Sequence, residues 1–338
     1  MAKTAQKRDL HSAKTNKKDE FYTQLSDIEK EVRHYKEHFK DKVVFCNCDD
    51  PRVSNFFHYF SYNFESLGLK KLITTCFKNQ EVDLFSEHSS EKAIYLEYNG
   101  DKNGDNVPNI EEIGIKHLKG DGDFRSKECI DLLTQADIVV TNPPFSLFRD
   151  YVAQLVEHDK KFLIIGNVNA ISYKETFKLI KENKLWLGAS IHSGDREFGV
   201  PDDYPLIASS SRIDSEGKKY IRVKGVRWFT NMDYEERHED LILYKKYTPE
   251  EYPTYDNYNA INVDVTKDIP CDYKGVMGVP ITFIDKFNPD QFEVLGLSAS
   301  AGYNKDVVGI PFLGEKDARP LINGKNTYAR IFIKNKKL

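Results

Sequence analysis

Apolar positions along the chain switch between two periods. The runs Val43-Val44-Phe45-Cys46, Leu72-Ile73-Thr74-Thr75-Cys76-Phe77, Ala136-Asp137-Ile138-Val139-Val140 and Phe162-Leu163-Ile164-Ile165-Gly166-Asn167 are short and largely apolar, as buried parallel strands are. Ala93-Ile94-Tyr95-Leu96 reads as a third or hairpin-like strand. Between these runs the spacing turns helical. Ile28, Val32 and Tyr35 precede the first run; Phe56, Phe57, Tyr59 and Phe60 follow Ser54, a residue suited to cap a helix; Glu128 to Gln135 and Arg149 to Glu157 supply two more helices. Alternation from Val43 to Leu187 predicts a doubly wound α/β sheet, with ligands at the carboxyl ends of its strands.

Beyond Gly188 the texture changes. Gly, Pro, Asp and Ser increase, strands shorten, and aromatic and basic residues punctuate loops such as His192-Ser193-Gly194-Asp195-Arg196 and Arg227-Trp228-Phe229-Thr230-Asn231. Loops on a rigid scaffold suit base reading, arginine to guanine and asparagine to adenine, so Arg196, Arg227 and Asn231 are candidate nucleic-acid contacts. Taken singly, each residue of these loops reads first as an ordinary surface-loop residue or a core aromatic. Residues 2–18 carry Lys3, Lys7, Arg8, Lys14, Lys17 and Lys18 against one acid, Asp9. This is a basic arm, either a solvated tail or, through residues such as Lys14 and Lys17, a contact for phosphates. The expected division is an arm over 1–18, a catalytic domain over 19–188 and a target-recognition region over 189–338.

The chemistry points to Thr141-Asn142-Pro143-Pro144-Phe145-Ser146, directly after an apolar strand. A conjugated exocyclic amino group is a poor nucleophile, and methylating it requires acceptors for both N–H groups and an aimed lone pair more than a strong base. The Asn142 side-chain carbonyl and a main-chain carbonyl of Pro143-Pro144 supply acceptors, the prolines fix the backbone, and Phe145 offers a face for a planar base. Alone, Asn-Pro-Pro would be a turn after a strand; its setting after a buried strand, downstream of cofactor-like segments, favours a site.

Those segments are two. After Val43–Cys46 comes the turn Asn47-Cys48-Asp49-Asp50-Pro51, which lacks the glycines of dinucleotide binders but offers acids suited to the ammonium and sulfonium of S-adenosylmethionine. In Gly120-Asp121-Gly122-Asp123-Phe124-Arg125-Ser126, Asp123 can accept from an adenine amino group while Phe124 stacks, or the stretch is an ordinary Asp-Gly turn.

The chain has 338 residues, 40% hydrophobic and 30% charged, enough for one large core and a smaller second one. A net charge of −4 argues against a uniformly basic surface, so nucleic acid would be met by local patches. The five cysteines, Cys46, Cys48, Cys76, Cys129 and Cys271, lack paired spacing, which points to reduced thiols and no metal site. With no membrane-spanning run and no signal peptide at Met1, a soluble cytoplasmic protein is expected.

Together, Asp19-Glu20-Phe21-Tyr22-Thr23, Cys46-Asn47-Cys48-Asp49-Asp50-Pro51, Gly120-Asp121-Gly122-Asp123-Phe124-Arg125, Thr141-Asn142-Pro143-Pro144-Phe145 and Tyr255-Asp256-Asn257-Tyr258 resemble the EcoRI-type adenine-specific DNA methyltransferases, from about Asp19 to Pro289. The resemblance implies a class I S-adenosylmethionine-dependent methyltransferase fold, a Rossmann-like sheet with a C-terminal target-recognition region. It implies cofactor contacts near Tyr22, Thr23 and Asp49, a flipped adenine held at Asn142 to Phe145, and double-stranded DNA as partner. It further implies a bacterial restriction–modification or host-marking role, in which a restriction endonuclease encoded alongside needs no stable complex. The segment Ser298 to Arg319 has no counterpart in that pattern. A monomer is expected, and a palindromic target would not decide the oligomeric state, since a monomer can methylate the two strands in separate events.

Two other readings stay open on sequence. The same motif serves guanine N2 in RNA and a glutamine amide in protein, and the fold could survive as a non-catalytic DNA-binding module. Absence of a cysteine paired with histidine disfavours cytosine C5 chemistry.

Overall fold

The computed structural model describes residues 21–47, 54–76, 93–104, 108, 112–192, 194–201, 204, 206, 211–298, 309–313 and 319–338. Of the sequence-derived site residues, Lys14, Lys17, Asp49 and Asp50 lie outside the described residues. The described chain forms two compact units, one running to Val168 and resuming from Gly188 to Met232, the other made of Asn169–Leu187 and Asp233–Leu338.

The first unit opens with a short strand β1 (Tyr22–Thr23) and helix α1 (Leu25–Val32), whose Ile28 and Val32 are fully buried. Strand β2 (Val43–Cys46) is buried along its whole length, and Ser54 caps α2 (Asn55–Tyr62) by accepting from the Phe56 amide. Then come β3 (Lys71–Thr75), β4 (Ile94–Tyr98), β5 (Ile113–His117), α3 (Lys127–Gln135), β6 (Ile138–Thr141), α4 (Phe148–Glu157) and β7 (Lys161–Asn167). After Gly188 follow β8 (Asp195–Val200), β9 (Lys219–Lys224) and β10 (Val226–Thr230).

Within this unit the main sheet runs β5-β4-β3-β2-β6-β7-β10. Its centre is parallel, β2 pairing with both β3 and β6 and β6 with β7, and its strands are apolar on both faces because helices cover both. Its flanks are antiparallel. In β4, Ile94, Leu96 and Tyr98 point in while Tyr95 and Glu97 are half exposed, the alternation of a strand with one solvated face. On the other flank β10 pairs antiparallel with β7, and all five of its residues are buried.

That flank corrects the expected boundary at residue 188. Val226–Thr230 belongs to the main sheet because Trp228 and Phe229, fully buried, complete its core. Its residues were expected to be loop-borne.

A second, small sheet joins β1 to β8 and β8 to β9, all antiparallel. The buried Glu31 of α1 helps place it. Its carboxylate accepts from the Tyr35 hydroxyl at 2.8 Å, the Ala189 and Ser190 amides at 2.8 Å each, and the Ser190 hydroxyl. Four donors make burial of that charge tolerable and tie the segment leading into β8 to the helix that follows β1. Gly188 must be glycine there, since a Cβ would lie 2.2 Å from Glu31 Oε1.

In the second unit, Ile261–Asn262 pairs parallel with Met277–Pro280, and Arg330–Asn335 lies antiparallel between Met277–Pro280 and Phe292–Leu297. Tyr255, Tyr258, Ala260 and Phe332 form a buried cluster against this sheet. A two-residue turn joins the short paired strands Leu321–Ile322 and Lys325–Asn326.

Candidate active site

The carboxyl ends of β2, β3 and β6 present Asn47, Cys76 and Asn142 along one edge of the main sheet. Local bonds lock that edge. The Thr141 hydroxyl donates to the Asn47 main-chain carbonyl, and the Tyr151 hydroxyl of α4 donates to Asn47 Oδ1. Tyr151 in turn takes the edge of Phe124, ring centroids 5.0 Å apart, and Gln154 Nε2 donates to the Phe124 carbonyl at 3.0 Å. The loop bearing Phe124 sits against the end of β3. Gly122, at φ +80°, comes so close that a Cβ would lie 2.1 Å from the Cys76 carbonyl oxygen.

Asn142 is 5% exposed, and its two amide ends are treated differently. Nδ2 donates to the Phe21 main-chain carbonyl at 2.6 Å, just before β1. Oδ1 is buried and, among the described residues, has no hydrogen-bond partner. An orphaned buried carbonyl costs about 1–3 kcal/mol, so its persistence marks a place where a donor is to arrive. The Phe21 carbonyl also fixes which end faces that place, because a flipped amide would set oxygen against oxygen.

Phe21 is itself seated by aromatic neighbours. Its ring meets Phe145 edge-on at 5.7 Å and 70°, Phe198 at 5.9 Å and Tyr204 at 6.4 Å. Pro143 is buried, while Pro144 and Phe145 are half exposed. Thr23, two residues on, is buried with an Oγ1 that has no hydrogen-bond partner among the described residues, and its carbonyl accepts from Asn55 Nδ2 at 2.7 Å. Tyr22, half-buried, lies beside it, paired with Gly199.

The other sequence candidates fall into place differently. Asp123 is gripped by Arg125, whose Nε and NH2 reach its two oxygens at 2.9 and 2.7 Å and hold its carboxyl below the usual range. Phe124 is buried on Tyr151, so its ring is not a free stacking face. Arg196 stays a candidate: it stands on β8 with a buried Nε that has no partner among the described residues. Arg227 and Asn231 are corrected. Arg227 is 4% exposed and donates to the Val226 and His192 carbonyls at 2.9 and 2.6 Å. Asn231 accepts from the Phe162 amide at 2.9 Å and donates to the Lys160 carbonyl at 2.9 Å, at the amino edge of the sheet, away from Asn142. Both are scaffold. At that same amino edge His38, Lys42, Asp137, Lys160 and Lys161 line a cleft of about 350 Å³, but Lys160 and Lys161 point their ammoniums at the Ala136 and Asn231 carbonyls.

Phe21, Asn55 and Tyr151 escaped the sequence reading. Tyr151 left one trace, a hydroxyl on the buried stripe of an amphipathic helix; the Phe21 contribution is a main-chain carbonyl, which has no sequence signature.

An open α/β sheet whose carboxyl edge presents an Asn-Pro-Pro-Phe turn with an unanswered amide carbonyl has the architecture of a methyltransferase for planar amino groups. The model of the family described as "Adenine-specific methyltransferase EcoRI" matches residues 9–336. The chain is 54% identical to the type II methyltransferase M.EcoRI of Escherichia coli, over all of this chain and 99% of that one. It is 38% identical to M.MgeORF184P of Mycoplasma genitalium and to M.MpnI of Mycoplasma pneumoniae, over 97% of this chain in each case and 99% and 98% of theirs. The chain belongs to the EcoRI family of adenine-specific methyltransferases.

Proposed function

We propose that the chain transfers a methyl group from S-adenosylmethionine to N6 of an adenine turned out of double-stranded DNA at a specific sequence. The observation that carries this reading is the buried Oδ1 of Asn142, an acceptor without a donor, beside the half-exposed ring of Phe145. The amino group of adenine supplies the missing donor, and the second N–H would meet a main-chain carbonyl of Pro143-Pro144. Held by two acceptors, N6 gains electron density and is aimed, which is the catalysis such a nitrogen needs. Phe145 stacks on the extruded base, offsetting part of the unstacking cost. The N6 proton leaves to solvent after transfer.

S-adenosylmethionine supplies an electrophilic sulfonium methyl when bound. The unpartnered Thr23 hydroxyl fits a polar ligand at this edge, and Tyr22, Thr23, Asn47 and the acids Asp49 and Asp50 are the residues proposed to hold it. Asp123 is proposed to take the adenosine end through lone pairs left beside its Arg125 fork, with Phe124 contributing by seating that loop on Tyr151. Lys14, Lys17 and Arg196 are proposed for DNA, with the bacterial cytoplasm as the place of action and a monomer as the acting form. Among the described residues no helix is long and apolar enough to cross a membrane.

The test is modified-base sequencing of DNA from cells expressing the chain and cells expressing Asn142→Ala. N6-methyladenine at one motif, present only with the intact chain, is the expected result. Absence of any modified base, with the purified protein still binding S-adenosylmethionine, would move the acceptor to RNA or protein.

A further inference from the structure

The segment Tyr255-Asp256-Asn257-Tyr258 takes no part in the chemistry above, yet the second unit puts it to a definite use. Asn257 is 4% exposed, and both ends of its amide grip one piece of chain: Nδ2 donates to the Arg319 carbonyl at 2.8 Å and Oδ1 accepts from the Leu321 amide at 2.9 Å. Asp256 completes the hold. Its amide donates to the Leu321 carbonyl at 2.8 Å, and its Oδ2 accepts from the Gly324 amide at 2.7 Å. Tyr258, buried, bridges to Phe312 on the other side.

What these residues hold is the hairpin Leu321–Asn326. Asn323 and Gly324 sit at φ 50° and 71°, the left-handed pair of a tight two-residue turn. A two-stranded ribbon so short is not stable alone, so the bracket from Asp256 and Asn257 is what orders it. Its tip is exposed at Asn323, Gly324, Lys325 and Asn326, and Tyr328 just beyond is 82% exposed. The charge is one-sided. From Arg319 to Leu338 there are six basic residues and no acid, in a chain of net charge −4. Arg330 and Lys337 are spent on Asp264 and Asp240, but Lys325 stands exposed at the turn.

We propose that this hairpin is a DNA-reading ribbon and a determinant of target specificity. The proposal rests on duplex DNA being the substrate, and it names the element that reads it. A two-stranded ribbon fits the major groove of B-DNA. Lys325 meets a backbone phosphate, while Asn323 and Asn326 bring amides whose donor and acceptor match the N6/N7 edge of adenine. Because Asp256 and Asn257 fix the ribbon beforehand, little ordering cost falls on binding.

The experiment uses the full chain, its mapped target duplex and single-mismatch duplexes. Lys325→Ala should weaken binding to matched and mismatched duplex alike and lower the slope of log affinity against log salt by about 1. Asn326→Ala and Asn323→Ala should reduce the matched-to-mismatched ratio of kcat/KM by about tenfold to a hundredfold at one position of the site. S-adenosylmethionine binding should stay unchanged in all three variants, and melting temperature in Lys325→Ala and Asn326→Ala, whereas Asn323→Ala, at φ 50°, lowers it slightly. Asn257→Ala, which frees the ribbon, should weaken DNA binding without shifting cofactor affinity. Unaltered salt slope and mismatch discrimination in the tip variants, with methylation intact, would overturn the ribbon assignment alone; no methylation of DNA by the unmodified chain would instead sink the substrate reading on which it rests.

Discussion

Asn142 in the first unit and Asn257 in the second are both buried asparagines at turns after or beside strands, and both use Nδ2 on a distant main-chain carbonyl. They differ at the other end of the amide. Asn257 Oδ1 is answered by the Leu321 amide, while Asn142 Oδ1 is answered by nothing described. An amide paired at both ends is a rivet. An amide paired at one end is a rivet that holds a reactive acceptor in a set direction, and the missing partner is what substrate brings. Asn231, paired with Phe162 and Lys160, falls on the rivet side.

The largest way to break this contrast is Asn142→Asp. A carboxylate keeps an acceptor for N6 but sets a second oxygen against the Phe21 carbonyl, where only a donor fits. Turnover at neutral pH should fall by about 10²–10³-fold, and should partly recover as pH drops, because the protonated acid can donate to Phe21 while its other oxygen stays free. A rate profile parallel to the unmodified chain between pH 5 and 8 would mean that the Phe21 carbonyl does not select the amide orientation.

Next in size is Asn231→Ala. It strands the Phe162 amide and the Lys160 carbonyl at about 1–3 kcal/mol each when fully buried, less here because the pair is partly exposed. The melting temperature should drop by several degrees with kcat and DNA affinity unchanged in the surviving folded protein. Loss of DNA binding without loss of stability would restore Asn231 as a contact.

The smallest effect concerns His238, clasped between Asp290 and Asp233 at 2.5 and 2.8 Å. Hydrogen bonds that the His238 ring donates to Asp290 and then Asp233 raise its pKa, and His238 lowers theirs in return. A raised histidine contributes stability in full below its unfolded pKa, near 6.5, and loses it as pH rises through the folded value. The carboxylates contribute above their own unfolded values, near 3.9, and lose it toward acid. Stability should therefore decline slightly on the alkaline side of that window, and His238→Gln should flatten the decline; melting curves across pH 5 to 9 check it. The groups are well exposed, so the effect is small.

Much of the frame was legible. Val43–Cys46, Ile138–Thr141 and Lys161–Asn167 are strands because unbroken apolar runs can only be buried on both faces, and Ser54 caps as its position suggested. Ile113–His117 was missed, since Ile-Gly-Ile-Lys-His alternates too briefly to announce a strand. Arg227-Trp228-Phe229 misled in the other direction: arginine and tryptophan in a glycine-rich region look like a recognition loop, whereas here the guanidinium folds back on the Val226 and His192 carbonyls and the rings fill the core. In the site, Asn142 could be read because its chemistry is carried by a side chain. Its orientation could not, because that depends on a carbonyl 121 residues away.

The most direct measurement is rapid-quench single-turnover methylation of a target duplex by Asn142→Ala against the unmodified chain, with S-adenosylmethionine saturating and its affinity measured on the same samples. A fall of about 10²–10³-fold in the transfer step, at unchanged cofactor affinity, is expected from removal of the Asn142 amide acceptor. Transfer within a fewfold of the unmodified rate would show that the Asn142 carbonyl is not what receives the amino group.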